Sequence, residues 1–246
     1  MYLAVQRARP RLATAARPRL AMPFEAATMY LCATTHGRAH QRGRGSVRRP
    51  ATVGDGATAV VADFDLPDAA ARFRAAIADE VSYPVWTQTL RSGIRHRFEV
   101  HRVRVPKEHA ADLLTMLADA WRRGAELCTN AQPVSPSSPR WRHRQDLATA
   151  VWRGMLLSGP AVRTRRGLRV RTPGDVAPVV VRAAQLLGVT AQMQYHPRTP
   201  VVCVDDEREA HILLSLLSLQ SEPHPRPASL RPVVAGADAY LLSRTA

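Results

Sequence analysis

The residues best placed to do chemistry in this chain are arginines spaced two apart. The run AVRTRRGLRVRT carries Arg163, Arg165, Arg166, Arg169 and Arg171 on two short segments that turn at Gly167. Side chains alternate along a strand, so Arg163 shares a face with Arg165, and Arg169 with Arg171. Leu168 and Val170 take the opposite face of the second strand. A basic ribbon of this kind suits phosphate oxygens or base edges in a major groove. The competing reading is a solvated hairpin in an arginine-biased chain. Arg91, Arg95 and Arg97, with Thr87 and Thr89, form a similar set in the first half, and the same two readings apply. Gln192, Gln194 and His196 also alternate, but simple exposure accounts for them.

Other candidates for chemistry have simpler explanations. Asp205, Asp206 and Glu207 precede a helix, where acids accept from free N–H groups and favour the helix dipole. Asp63 and Asp65 stand before Pro67 in the same way. His96 and His101 fall on opposite strand faces and cannot form one ligand pair. Cys32, Cys128 and Cys203 are widely separated and read as buried thiols of a reducing compartment. Nothing resembles a phosphate-binding loop, a nucleophile elbow or a zinc-protease helix. No metal site, no cofactor and no catalytic residue is therefore expected.

The net charge of +15 favours a polyanionic partner. Its distribution matters more than its size. The first fifty residues hold ten arginines and one acid, so +9 of the +15 lies there and the rest of the chain is only moderately basic. No stretch is long and apolar enough to span a membrane, and no secretory leader is evident, which predicts a cytoplasmic, nucleoid-associated protein.

The elements that must hold these residues alternate between helical and strand patterns. Residues 1–21 read as a disordered basic arm, Pro23–Thr34 as a short helix, and 36–56 as a Gly- and Arg-rich loop. A strand is expected over Ala57–Leu66 and a helix from Pro67, with Phe73, Ile77 and Val81 on one stripe. Two strands follow, the second with Phe98 and Val100 on its apolar face. A helix then carries Leu113, Leu114, Leu117 and Trp121, with Gly124 beyond its end. Residues 131–145 make a Pro/Ser linker that ends in the basic run RWRHR. Helix, hairpin, helix, two strands and helix complete 146–220, before a Pro-rich tail over 221–246.

The two halves repeat one order of elements, with Ala57–Asp119 mapping onto Val162–Leu219. Self-similarity of this kind predicts the whole architecture. It implies an α+β fold of duplicated α-β-β-α-β-β-α units, their antiparallel sheets forming a saddle backed by helices. The segment AVWRGMLLSG (Ala150–Gly159) resembles the motif helix of the LAGLIDADG fold in its WhiA version. The runs GLRVRTPGDVAPVVVRAAQLLGVTAQM and ADFDLPDAAARFRAAI resemble that family too. MYLCATTHG (Met29–Gly37) is the candidate for a degenerate first motif helix, which makes 22–130 the N-terminal half.

The resemblance implies a DNA-binding regulator of transcription, sporulation or cell division, of actinobacterial type. In cutting members each motif helix ends in an acid that coordinates a divalent cation beside the scissile phosphate. Gly159 and His36 occupy those places here, while the packing glycine survives as Gly154. Double-stranded DNA is the implied partner, and the implied protein partner is a regulator bearing a helix-turn-helix or an RNA polymerase component. The stretch after the Pro-rich exit is too short for the helix-turn-helix that family members usually carry. A truncated interaction module is the competing reading, and a residual endonuclease a more remote one.

Overall fold

A computed structural model describes residues 20–43, 57–92, 98–130, 135–164, 167–196 and 199–219, with the side chains of 35–43, 92, 98 and 216–219 left out. Its elements are α1 (Ala21–Gly43), β1 (Thr58–Phe64), α2 (Pro67–Ala78), β2 (Trp86–Ser92), β3 (Phe98–Pro106), α3 (Ala110–Thr129), α4 (Pro139–Ser158), β4 (Ala161–Thr164), β5 (Gly167–Arg171), α5 (Ala177–Leu186), β6 (Gln192–Gln194), β7 (Val201–Val204) and α6 (Glu207–Leu219). The fold is α+β, with two antiparallel sheets ordered β1-β3-β2 and β4-β5-β7-β6. The second half has the expected α-β-β-α-β-β-α order, whereas the first shows one strand before α2 among the described residues.

Local chemistry explains most boundaries. Ser138 accepts from Trp141 N at 3.2 Å, and Pro139 fits the first turn of α4. That helix therefore starts seven residues earlier than a linker ending at 145 would allow. The basic run at Arg140–Arg144 is helical, and Arg144 is buried. Asp206 Oδ1 accepts from the backbone N–H groups of Arg208 and Glu209 at 2.8 and 2.9 Å, so this acid does cap α6. Gly188 has φ of +75° at the end of α5. Gly167 has φ of +150°, and a Cβ there would lie 1.8 Å from Val204 O. Only glycine lets β5 pass this close to β7.

Two expectations fail at helix ends. The helix placed at Pro23–Thr34 continues to Gly43, which removes the first part of the expected loop at 36–56. Gly124 lies inside α3, not past its end, because the ring of Phe24 occupies the space a side chain would need. Phe24 also stacks on Trp121, with ring centroids 5.4 Å apart. Leu114, expected in the core stripe, is exposed, while Leu113 and Leu117 are fully buried.

The core has two lobes, one per sheet. Val103, Val105, Phe64, Phe73, Ile77, Leu113 and Leu117 fill the first. Leu168, Val170, Val202, Val204, Val151, Trp152 and Leu213 fill the second. Helix α1 supplies both lobes, with Phe24 in one and Met29 in the other. The lobes meet where α1 packs on α4. A Cβ on Gly154 would stand 2.8 Å from Glu25 O, 3.1 Å from Thr28 Cβ and 3.2 Å from Met29 Cγ. Glu25 is buried at this contact. It accepts from Arg72 Nε and Nη2 at 2.6 and 2.9 Å, and from Arg153 Nη1 at 3.2 Å. One carboxylate thus ties a helix of each half to α1, and its hydrogen bonds raise the pKa of Arg72.

Candidate nucleic-acid interface

Each sheet buries one face against helices and leaves the other open. On the second sheet, pairing sets Leu168 opposite Val204 and Val170 opposite Val202, all on the helix side. The open face follows from the same register. One row runs Val162, Arg169, Cys203, Gln192, and a second runs Arg171, Val201, Gln194. Arg169 and Arg171 are exposed, as are Gln192 and Gln194. No acid lies within ion-pairing distance of either arginine among the described residues. The glutamines noted from sequence only as exposed therefore stand in line with the arginines, on one surface.

Arg163 is elsewhere. It pairs with Leu168, which puts it at the helix-side face of the edge strand β4. There it lines a hollow of about 340 Å³ with Glu207, Arg208, His211 and Ile212 of α6. Arg165 and Arg166 lie outside the described residues. The hairpin is therefore not one basic face; two of its arginines front the open sheet and one turns back.

The first sheet reverses the expected phase. Val103 and Val105 are fully buried, so His101 and Glu99 share their side and Val100 points the other way. Val100 pairs with Leu90 on the open face. The face assignment read from Phe98 and Val100 is inverted, because the helices bury His101, Val103 and Val105, the alternate set. His101 lies buried on the helix side, where its Nδ1 is 3.1 Å from Thr89 Oγ1. Arg91 stands opposite Glu99 on that same side and pairs with it at 2.8 Å. Arg95 and Arg97 lie outside the described residues.

The arginines that do front the open face of this sheet are Arg102 and Arg104. Arg102 donates to both carboxylate oxygens of Asp63 at 2.9 and 3.0 Å, which raises its pKa. Arg104 donates to Gln88 Oε1 at 3.0 Å. The rows are Val60–Arg104–Trp86, then Asp63–Arg102–Gln88, then Val100–Leu90. Sequence alternation over Val103 and Val105 could have found this pair, since residues that alternate with two buried valines must face away.

Helices α1 and α4 differ at their C-terminal ends. Cys32 of α1 is hydrogen-bonded to Ser158 at the end of α4, so the two helices run level to this point. Helix α4 stops there, and Gly159 turns the chain into β4. A Cβ on Gly159 would sit 2.8 Å from Met155 O, too close for a side chain without a shift. Helix α1 continues for eleven more residues, about 16 Å at 1.5 Å per residue. His36 therefore falls inside a helix and not at its end; its side chain lies outside the description. All three thiols are buried, and burial raises the pKa of Cys32 and Cys128 to about 12.

Two of the three acids near the sheet ends, Asp206 and Glu209, are already engaged. Asp205, Asp206 and Glu209 line a hollow of about 310 Å³ with Thr190, Gln192 and Cys203. Asp206 caps α6, and Glu209 accepts from Thr190 N and Oγ1. Among the described residues no cluster of three or more His, Cys, Asp or Glu could hold a metal ion. No described helix is long and apolar enough to cross a membrane.

No family model and no curated protein matches the chain. Solved structures do. The homing endonuclease I-DmoI in complex with DNA and manganese aligns at TM-score 0.47 and 14% identity, over 80% of this chain and 98% of that one. The N-terminal LAGLIDADG domain of DUF199/WhiA aligns at TM-score 0.43 and 10% identity, over 84% and 93%. Full-length DUF199/WhiA from Thermatoga maritima aligns at TM-score 0.44 and 10% identity, over 91% and 69%. At such identities the likeness is one of fold and does not extend to individual site residues.

Proposed function

We propose that this protein binds double-stranded DNA across the open faces of its two sheets and does not cut it. The observation that carries this reading is the surface made by Arg169, Arg171, Gln192 and Gln194, where cations without acidic partners stand in register with amide side chains. Arginine releases counterions from phosphate, and glutamine can bridge the edge of adenine. The solved structure of I-DmoI with DNA and manganese shows that a protein of similar fold holds DNA.

The proposal of no cleavage rests on the end of α4. Gly159 offers no ligand oxygen where a motif acid would stand, and the backbone of Met155 crowds that position. A carboxylate is the donor such a metal requires. The finer role, a WhiA-like regulator of transcription or development, rests on the sequence AVWRGMLLSG and on the two-half organisation with its break at the Pro/Ser segment.

The test is a fluorescence anisotropy titration of the full chain on a random-sequence duplex at two salt concentrations, with a supercoiled plasmid incubated in Mg²⁺ or Mn²⁺ alongside. Binding that weakens steeply with salt, on a plasmid that stays supercoiled, is expected. Negligible binding at both salts would sink the DNA reading. Metal-dependent nicking would sink the non-cutting one.

A further inference from the structure

The open face of the second sheet exposes one large apolar side chain, Val162 on its edge strand, whereas that of the first carries several across its width. Trp86 and Val60 are 43% and 40% exposed, and Leu90 and Val100 are partly exposed beside them. These apolar groups do not form one continuous patch. Val60 and Trp86 flank Arg104 in one row, Leu90 and Val100 form another, and between them runs the polar row Asp63–Arg102–Gln88. Within that frame both arginines are held, Arg102 by Asp63 and Arg104 by Gln88.

The alternation decides what kind of surface fits. The centre of a protein–protein interface is depleted of charged groups, yet three charged side chains occupy the middle of this face. Base-pair edges in a major groove do alternate, presenting polar atoms and, at each thymine, a C5-methyl group. Same-face rows of a strand recur about every 7 Å, close to two base-pair steps of 3.4 Å. A methyl group buried against Trp86 or Leu90 would gain contact that no phosphate offers. Arg102, neutralised by Asp63, adds little long-range attraction, whereas Arg104 keeps its charge because Gln88 is neutral; both are already ordered and lose little freedom on binding.

We propose that the first sheet reads thymine methyl groups, through Trp86 and Val60 on one side of the arginine pair and Leu90 and Val100 on the other. This rests on the reading that duplex DNA lies on the open faces. It adds a base preference, borne by one sheet, to an affinity borne largely by the other.

The experiment compares alternating poly(dA-dT) duplex with alternating poly(dA-dU) duplex, which differ only in that methyl. The full chain is titrated against each at one fixed salt. Each buried methyl contributes about fourfold, so wild type should prefer the thymine duplex by about fourfold or more. Trp86→Ala combined with Leu90→Ser should bind both duplexes alike, near the wild-type affinity for the uracil duplex. Trp86→Phe should retain most of the preference, which shows that edge strand β2 still forms. Arg169→Ala with Arg171→Ala should weaken both duplexes and leave the ratio unchanged. Equal wild-type affinity for the two duplexes overturns the proposal, as does a preference that survives in Trp86→Ala with Leu90→Ser. Binding to neither duplex overturns this proposal together with the DNA reading beneath it.

Discussion

Two arginines front the open face of each sheet among the described residues, and the two pairs are treated in opposite ways. Arg102 and Arg104 are held by Asp63 and Gln88, amid Trp86, Val60, Leu90 and Val100. Arg169 and Arg171 have Val162, Cys203, Val201, Gln192 and Gln194 beside them in their rows, none of them an acid. Arg102, paired with an acid, is weakened as a source of attraction, while Arg104, held by a neutral amide, is fixed in direction but keeps its charge. A free cation attracts from a distance and settles where the phosphate is.

The largest effect should come from breaking what holds the sheets on one scaffold. Glu25 is buried between Arg72 and Arg153, and Glu25→Gln would leave two guanidinium groups facing a neutral amide. Removing one partner of a buried ion pair costs about 3–5 kcal/mol. Urea denaturation should show a loss of that order, and a loss below about 1 kcal/mol would mean the triad does not bind the halves together. A smaller change should damage one sheet alone. Gly167→Ala would push a Cβ into Val204 O at a φ of +150°, a strain of about 2–4 kcal/mol. Hydrogen exchange should then speed up in β4, β5 and β7 while β1 and β3 keep their protection. Equal loss in both sheets would mean that they do not behave as separate units.

The free pair should dominate the salt dependence. Each phosphate neutralised contributes about 0.9 to the slope of log K against log salt. Arg169→Ala with Arg171→Ala should therefore flatten the slope by about two, whereas Arg102→Ala with Arg104→Ala should change it by about one or less. Equal changes from the two double variants would remove the distinction between the sheets.

Much of this layout was legible in the sequence, and the failures have physical causes. The strand-helix order of the second half, the cap at Asp206 and the packing glycine Gly154 follow from local patterns that act within a few residues. The open-face arginines of the first sheet did not. Phe98 and Val100 suggested an inward phase at the start of β3, but the buried residues of the strand are His101, Val103 and Val105, on the other phase. Where Arg163 lies relative to Arg169 was not legible either. Strand alternation groups residues within a strand, but only the register between β4 and β5 tells which group shares a face with Arg169. The extension of α1 to Gly43 runs through Gly37, a residue that discourages helix and so suggested a loop.

The subtlest prediction converts the first sheet toward the character of the second. Asp63 is 42% exposed at its side chain and neutralises Arg102. Asp63→Asn keeps an oxygen that can accept one hydrogen bond but removes the charge. The open face then carries one more unit of uncompensated positive charge. An exposed pair of this kind contributes at most about 1 kcal/mol, so the fold should tolerate the change. At low salt duplex affinity should rise about two- to threefold, with the slope steeper by up to about one, and the gain should fade as salt screens it. Adding Arg102→Ala should return the slope to the wild-type value, because the freed cation is its source. If Asp63→Asn leaves affinity unchanged at every salt, DNA does not reach the first sheet, and the division of labour between the two faces fails with it.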